Sequence, residues 1–147
     1  MPHRPVIFID RNSGGRIFKS LLEKAGIRVV LHDEHFKDKR TPDDVWLTEI
    51  SELGWIMVTC DRATMRSPLF LHRLKRSKAR VFLLDGLEGA DREGKAKCII
   101  DCYEKMIEIC QKREAPLFWQ FNKAGSPTVI DFKHKLGMLR RFAKSYG

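Results

Sequence analysis

The sequence predicts an α/β fold of three layers: a central, mainly parallel four-stranded sheet flanked by helices, extended by a C-terminal helix and a β-hairpin. Two observations carry this expectation. Through the first 85 residues, short continuous apolar runs alternate with amphipathic segments, the pattern of strands covered on both faces by helices. After Gly86 the alternation stops and a single long amphipathic segment takes over. The chain therefore reads as a single domain, 1–147, with an α/β core over 5–85 and a C-terminal helix, hairpin and basic tail over 86–147.

Each element has its own signal. "PVIFI" is a strand that runs into Asp10 and the turn-forming "RNSGG". "GRIFKSLLEKAG" is a helix with Ile17, Phe18, Leu21 and Leu22 on one face and Gly26 as its stop. "IRVVLH" is the second strand, and "HDEHF" opens a polar loop. In "TPDDVWLTEISELG", Thr41 fits the N-cap, Pro42 the first helical position and Asp44 the third position of a capping box, with Gly54 closing the helix. "WIMVTC", "SPLFLHRLKRSK" and "ARVFLLD" give a third strand, third helix and fourth strand, and Asp85 with Gly86 reads as a turn. Beyond the linker-like "LEGADREG", a helix from about Lys95 to Lys112 carries Ile99, Cys102, Met106, Ile109 and Cys110 on its apolar face. "PLFWQFNKAGSPTVIDF" reads as two short strands around a turn, and "KHKLGMLRRFAKSYG" as a basic tail, helical or frayed.

Composition narrows the function classes. A hydrophobic content of 43% excludes general disorder and supplies a real core for 147 residues. A net charge of +9 favours polyanionic partners. The four cysteines, Cys60, Cys98, Cys102 and Cys110, contain no Cys-x-x-Cys pair and read as buried thiols in a reducing compartment. The apolar patch of "MPHRPVIFID" is too short for a signal peptide or a membrane span, so a cytoplasmic protein without a membrane partner is expected.

The acids carry the chemistry. "VIFID" ends on Asp10 and "IMVTCD" on Asp61. In an open parallel sheet, ligands bind beyond the carboxyl ends of the strands, where strand order reverses. With strand order 2-1-3-4, Asp10 and Asp61 face one site. Asp43 adds a third acid: Trp46, Leu47 and Ile50 share its helix face, at the end nearest the strand carboxyl termini. An acid there is costly unless paired or bound to a cation. Three converging carboxylates would repel one another, and oxygen-only ligands suit Mg2+ or Mn2+ rather than zinc. The bland reading, strand-end aspartates that only turn the chain, fits each acid singly better than it fits all three together.

"FIDRN", "PDDVW" and "GWIMVTCDRATMR", in that order, resemble the PIN-like domains, closest to the compact branch of VapC-type toxins in bacterial toxin–antitoxin pairs. The resemblance covers about Val6 to Asp85, and the Thr-x-Asp after an apolar strand is its best motif. It implies a three-layer PIN-like fold and a magnesium- or manganese-dependent endoribonuclease leaving 5′-phosphate and 3′-hydroxyl ends, with Asp10, Asp43 and Asp61 as catalytic and metal-binding acids. Larger PIN domains carry a further acid, for which Asp33 and Glu34 are the candidates.

Between Asp61 and Asp85 the chain has no acid but seven basic residues, among them Arg62, Arg66, Arg73, Lys75 and Arg76. With Asn12, these five are the candidate RNA contacts, forming a groove for a phosphate backbone. The tail adds Lys133, Lys135, Arg140, Arg141 and Lys144, an arm for RNA or for a cognate antitoxin. A homodimer is the other protein assembly expected. His32 and His35 in "HDEHF" lack partners to complete a zinc set, and "DRNSGGR" lacks the Gly-Lys-Ser/Thr ending of a P-loop. Trp46, Trp55 and Trp119 read as core. Two rivals stand beside the nuclease. One is a non-catalytic module binding RNA or protein; the other, a receiver-type phosphoacceptor at Asp61, lacks the paired acids and strand-end lysine it needs.

Overall fold

The computed structural model describes residues 4–10, 15–38, 40–84, 87, 90–121 and 127–129. Asn12, Asp85, the turn between the last two strands and the basic tail lie outside them. The fold is α/β. Its strands are β1 (Ile7–Ile9), β2 (Val29–Leu31), β3 (Ile56–Thr59), β4 (Arg80–Leu84), β5 (Leu117–Phe121) and β6 (Pro127–Val129). They form one sheet in the order β2-β1-β3-β4-β5-β6. The first five run parallel, and β6 pairs antiparallel to β5. The expected 2-1-3-4 order is present. Among the described residues the sheet has six strands rather than four, however, because the first strand of the C-terminal hairpin docks parallel on β4 instead of standing apart.

Side-chain alternation along the strands explains why both faces must be covered. Ile7, Ile9, Ile56, Val58, Phe82 and Leu84 face one cluster, which α1 (Arg16–Lys24) and α6 (Arg92–Lys112) complete with Phe18, Leu22, Ile99, Cys102 and Met106. Phe8, Met57, Val81, Leu83 and Phe118 face the other, closed by α3 (Asp43–Glu52) and α5 (Pro68–Ser77) through Trp46, Leu47, Ile50, Phe70, Leu71 and Leu74. A strand with both faces buried has no polar side to alternate with, hence the continuous apolar runs.

Helix ends follow local chemistry. At the end of α1, Gly26 at φ 84° lets Ile27 N–H reach Leu22 O (3.1 Å) and Gly26 N–H reach Glu23 O (3.0 Å), a Schellman closure. Gly54 (φ 74°) closes α3 in the same way, as the sequence predicts. Ser67 caps α5, accepting from Phe70 N–H at 3.2 Å. Asp91 caps α6, which therefore begins three residues before the expected Lys95.

Three expectations are corrected. α3 begins at Asp43 with Pro42 at the cap position and no side-chain cap; the Thr41 hydroxyl instead donates to Asp38 O at 2.7 Å, so Asp44 takes no part in a capping box. Ile17 is 55% exposed, because the face of α1 that meets the sheet is centred on Phe18 and Leu22. "HDEHF" is not a polar loop: His32–His35 form a helical turn, α2, and His32 is buried against Phe8, Phe36 and Trp46. Sequence reading also missed the short α4 (Arg62–Met65). Of the tryptophans, Trp46 is buried, while Trp55 and Trp119 are partly buried and pack against the two clusters. Among the described residues no helix is long and apolar enough to cross a membrane.

Candidate active site

The site grows from the carboxyl ends of two neighbouring strands. Ile9 of β1 stands opposite Val58 of β3, so the next residues, Asp10 and Thr59, meet at the sheet edge. Thr59 is fully buried, and its hydroxyl donates to Asp10 Oδ2 at 3.0 Å. The Thr59 hydroxyl oxygen itself accepts the Asp61 N–H at 3.1 Å. One threonine thus fixes both the buried carboxylate of Asp10 and the backbone of Asp61. The Asp61 side chain in turn accepts Ala63 N–H at 2.9 Å, starting α4 and placing Arg62 and Arg66 on the adjoining surface, both exposed.

Asp43 arrives from the other direction. The crossover from β2 to β3 runs α3 antiparallel to the strands, which puts its first residue at the same carboxyl edge. There Trp46 Nε1 donates to Asp43 Oδ1 at 3.1 Å, and Arg73 of α5 lies 3.7 Å from Oδ2. The cost of an acid on this face is met by a protein cation and an indole N–H. Trp46 is itself stacked on Phe8 (5.7 Å), so the hydrogen bond to Asp43 comes from a side chain locked in the core.

The two further acids in "HDEHF" have structural partners. Glu34 accepts from Lys19 Nζ at 2.9 Å and from Leu31 N–H at 3.0 Å. The Lys19 hydrogen bond holds its carboxyl below the ordinary value of 4.5. Asp33 meets His32 Nδ1 at 3.3 Å.

The structure thus joins the Asp10 carboxylate to the Asp61 backbone through Thr59, with Asp43 at the same edge but engaged by Arg73. Among the described residues no three His, Cys, Asp or Glu side chains are grouped to hold a metal ion. A magnesium-type ion needs less: it commonly takes one or two carboxylates and fills its remaining positions with water and substrate phosphate. The all-oxygen pair Asp10 and Asp61 fits that requirement. Thr59 was the residue sequence reading passed over, although the Thr-x-Asp spacing contains it. Of the basic candidates, Arg73 is part-buried beside Asp43, and Lys75 and Arg76 are exposed on α5.

Compared with known families, residues 5–86 match the PIN like domain. This is more than half of the chain, and the chain belongs to the PIN-like domain family, a superfamily that includes nucleases. Neither the curated proteins nor the solved structures contain a match.

Proposed function

We propose that this protein is a metal-dependent endoribonuclease hydrolysing RNA phosphodiester bonds, and the toxin of a bacterial toxin–antitoxin pair acting in the cytoplasm. The observation that carries the reading is the Thr59 bridge between Asp10 and Asp61 at the carboxyl edge of adjacent parallel strands. It joins two acids distant in sequence at the position where parallel sheets bind ligands.

Asp10 and Asp61 would hold Mg2+ or Mn2+, which when bound lowers the pKa of water for attack on phosphorus and stabilises the developing charge. Thr59 keeps the Asp10 carboxylate from rotating away from the ion. Asp43 is the third acid of the proposed site, and it becomes available when Arg73 turns from it to a substrate phosphate. Arg62, Arg66, Arg73, Lys75 and Arg76, with Asn12, supply the contacts that hold the RNA backbone against the edge. A cognate antitoxin protein is the proposed partner, and a homodimer the proposed assembly.

The test is cleavage of mixed labelled RNAs in EDTA, Mg2+ or Mn2+ by the native protein and by Asp61→Asn. Cutting that requires the ion and falls at least a hundredfold in the variant is expected. Folded native protein that cuts nothing with either ion would turn the assignment to the second reading, a non-catalytic PIN-like module binding RNA or protein. The pairing of Asp43 with Arg73 and Trp46 favours that second reading, because an acid so engaged needs no metal.

A further inference from the structure

Two thiols stand one turn apart on α6, Cys98 and Cys102, and they are hydrogen-bonded to each other. Neither forms a disulfide. We infer that Cys98 is a site of reversible oxidation by hydrogen peroxide, to a sulfenic acid, and that Cys102 is the positioning thiol whose S–H donates to the reacting sulfur.

Burial makes the two sulfurs unequal. Cys102 is 3% exposed and belongs to the cluster under α1 and α6, whereas Cys98 is only partly buried and packs against that cluster. A negative charge on a hydrogen-bonded pair rests on the sulfur nearer water, so Cys98 takes the thiolate and Cys102 keeps the proton. The Cys102 hydrogen bond accordingly lowers the Cys98 thiol from the ordinary 9.0 to about 7, against its own partial burial, and the same bond with burial pushes Cys102 up. The charges that act on Cys98 are Asp101, which opposes the thiolate, and Lys97, which favours it. Both lie on α6 and pair with each other at 2.8 Å. Among the described residues no charged group of α1 or of the sheet acts on Cys98.

The other two cysteines lack these conditions. Cys60 is 3% exposed, and burial pushes the Cys110 thiol up to about 11. A partly exposed thiolate reacts with peroxide where a buried thiol does not.

In the reaction the Cys98 thiolate attacks one peroxide oxygen and the O–O bond breaks. Hydroxide leaves and takes up a proton as water; the sulfur loses an electron pair and the peroxide gains it. A small-molecule thiol reverses the change, first displacing water to give a mixed disulfide and then exchanging to free Cys98. Cys102 is poorly placed to close the oxidised sulfur into a disulfide. Both residues lie within one continuous helix, where Cβ atoms four residues apart stand about 5–6 Å from each other. A disulfide needs about 3.8 Å.

The experiment treats the full-length protein with graded hydrogen peroxide at pH 6, traps sulfenic acid with dimedone and maps the adducts by mass spectrometry. Iodoacetamide alkylation across a pH series gives the ionisation of each thiol independently. Cys98 should carry at least five times the dimedone label of Cys60, Cys102 or Cys110, with half-maximal alkylation near pH 7. Cys102→Ala should slow labelling of Cys98 at least about fivefold, and Cys102→Ser, which keeps a donor, should restore most of the rate. Asp101→Asn is an exposed change that leaves the cluster intact, and it should speed labelling about two- to threefold. Equal labelling of Cys98 and Cys110, or no labelling of Cys98, overturns the site. A Cys98–Cys102 disulfide in the oxidised protein, or native rates in both Cys102→Ala and Asp101→Asn, overturns the role given to Cys102.

Discussion

Thr59 is the residue on which the site depends most, because its one hydroxyl serves a carboxylate and an amide that belong to different strand ends. Valine matches its shape but has no hydroxyl. Thr59→Val should therefore cost about 1–3 kcal/mol of stability for buried polar groups stripped of this bond. On the proposed nuclease reading, cleavage should also fall at least tenfold, with more Mg2+ needed for half-maximal rate, since Asp10 would no longer be aimed. Thr59→Ser should restore both. Cleavage and metal requirement unchanged in Thr59→Val, with only stability reduced, would reduce the hydroxyl to a packing role. At this scale the sequence was partly legible. Asp10 and Asp61 stand out because a charge after an apolar strand is costly, and strand order then makes them neighbours. The pairing of Asp43 with Arg73 was not legible, since it depends on how α3 and α5 pack side by side. Nor was the burial of His32, which is surrounded by rings from Phe8 and Trp46 that lie far from it in sequence.

The helices end by one device used three times. Gly26 and Gly54 adopt positive φ to close α1 and α3, and Lys78 does the same for α5 at φ 58°, with Ala79 N–H on Leu74 O and Lys78 N–H on Lys75 O. A side chain in the left-handed region costs about 1–2 kcal/mol, of which the extra chain entropy of glycine returns about 0.5–1. Lys78→Gly should therefore stabilise the protein by up to about 1 kcal/mol, raising the urea midpoint at an unchanged m value. The Ser51 hydroxyl bonds the Lys78 carbonyl at 3.0 Å, a backbone contact the substitution keeps. A lower midpoint would show that the lysine side chain contributes more than its backbone costs. The two glycine stops were readable because glycine announces positive φ. The end of α5 was placed at Lys78 by the apolar strand that follows, but nothing in "RSKAR" marks the lysine as a residue that takes positive φ. The start of α3 was misread for a related reason: a threonine and proline suited to a cap were present, but the Thr41 hydroxyl is used one turn earlier, on Asp38.

At the scale of the molecule, the family match ends at residue 86 while the core does not. The cluster under α1 includes Ala96, Ile99, Cys102, Tyr103, Met106 and Ile109 from α6 and Leu117 and Phe121 from β5. Tyr103 further ties α6 to the chain start, its hydroxyl donating to Pro5 O at 2.7 Å. Sequence periodicity made α6 legible as an amphipathic helix, yet "PLFWQF" read only as half of a hairpin. Its parallel pairing with β4 becomes visible once α6 is seen to act as the crossover between them. The covered face determines whether residues 5–85 can stand alone. At about 1.5–3 kcal/mol per large buried apolar side chain, stripping α6 and β5 from the sheet removes on the order of 10 kcal/mol, comparable with the roughly 5–15 kcal/mol that holds a domain folded. A chain ending at residue 86 should therefore lack near-ultraviolet circular dichroism and unfold without a cooperative urea transition. A chain ending at residue 129 should unfold cooperatively, because it keeps every residue of both clusters. Cooperative unfolding of the shorter chain would make the C-terminal region a separable appendage, and the single domain expected over 1–147 would have to be redrawn at the family boundary.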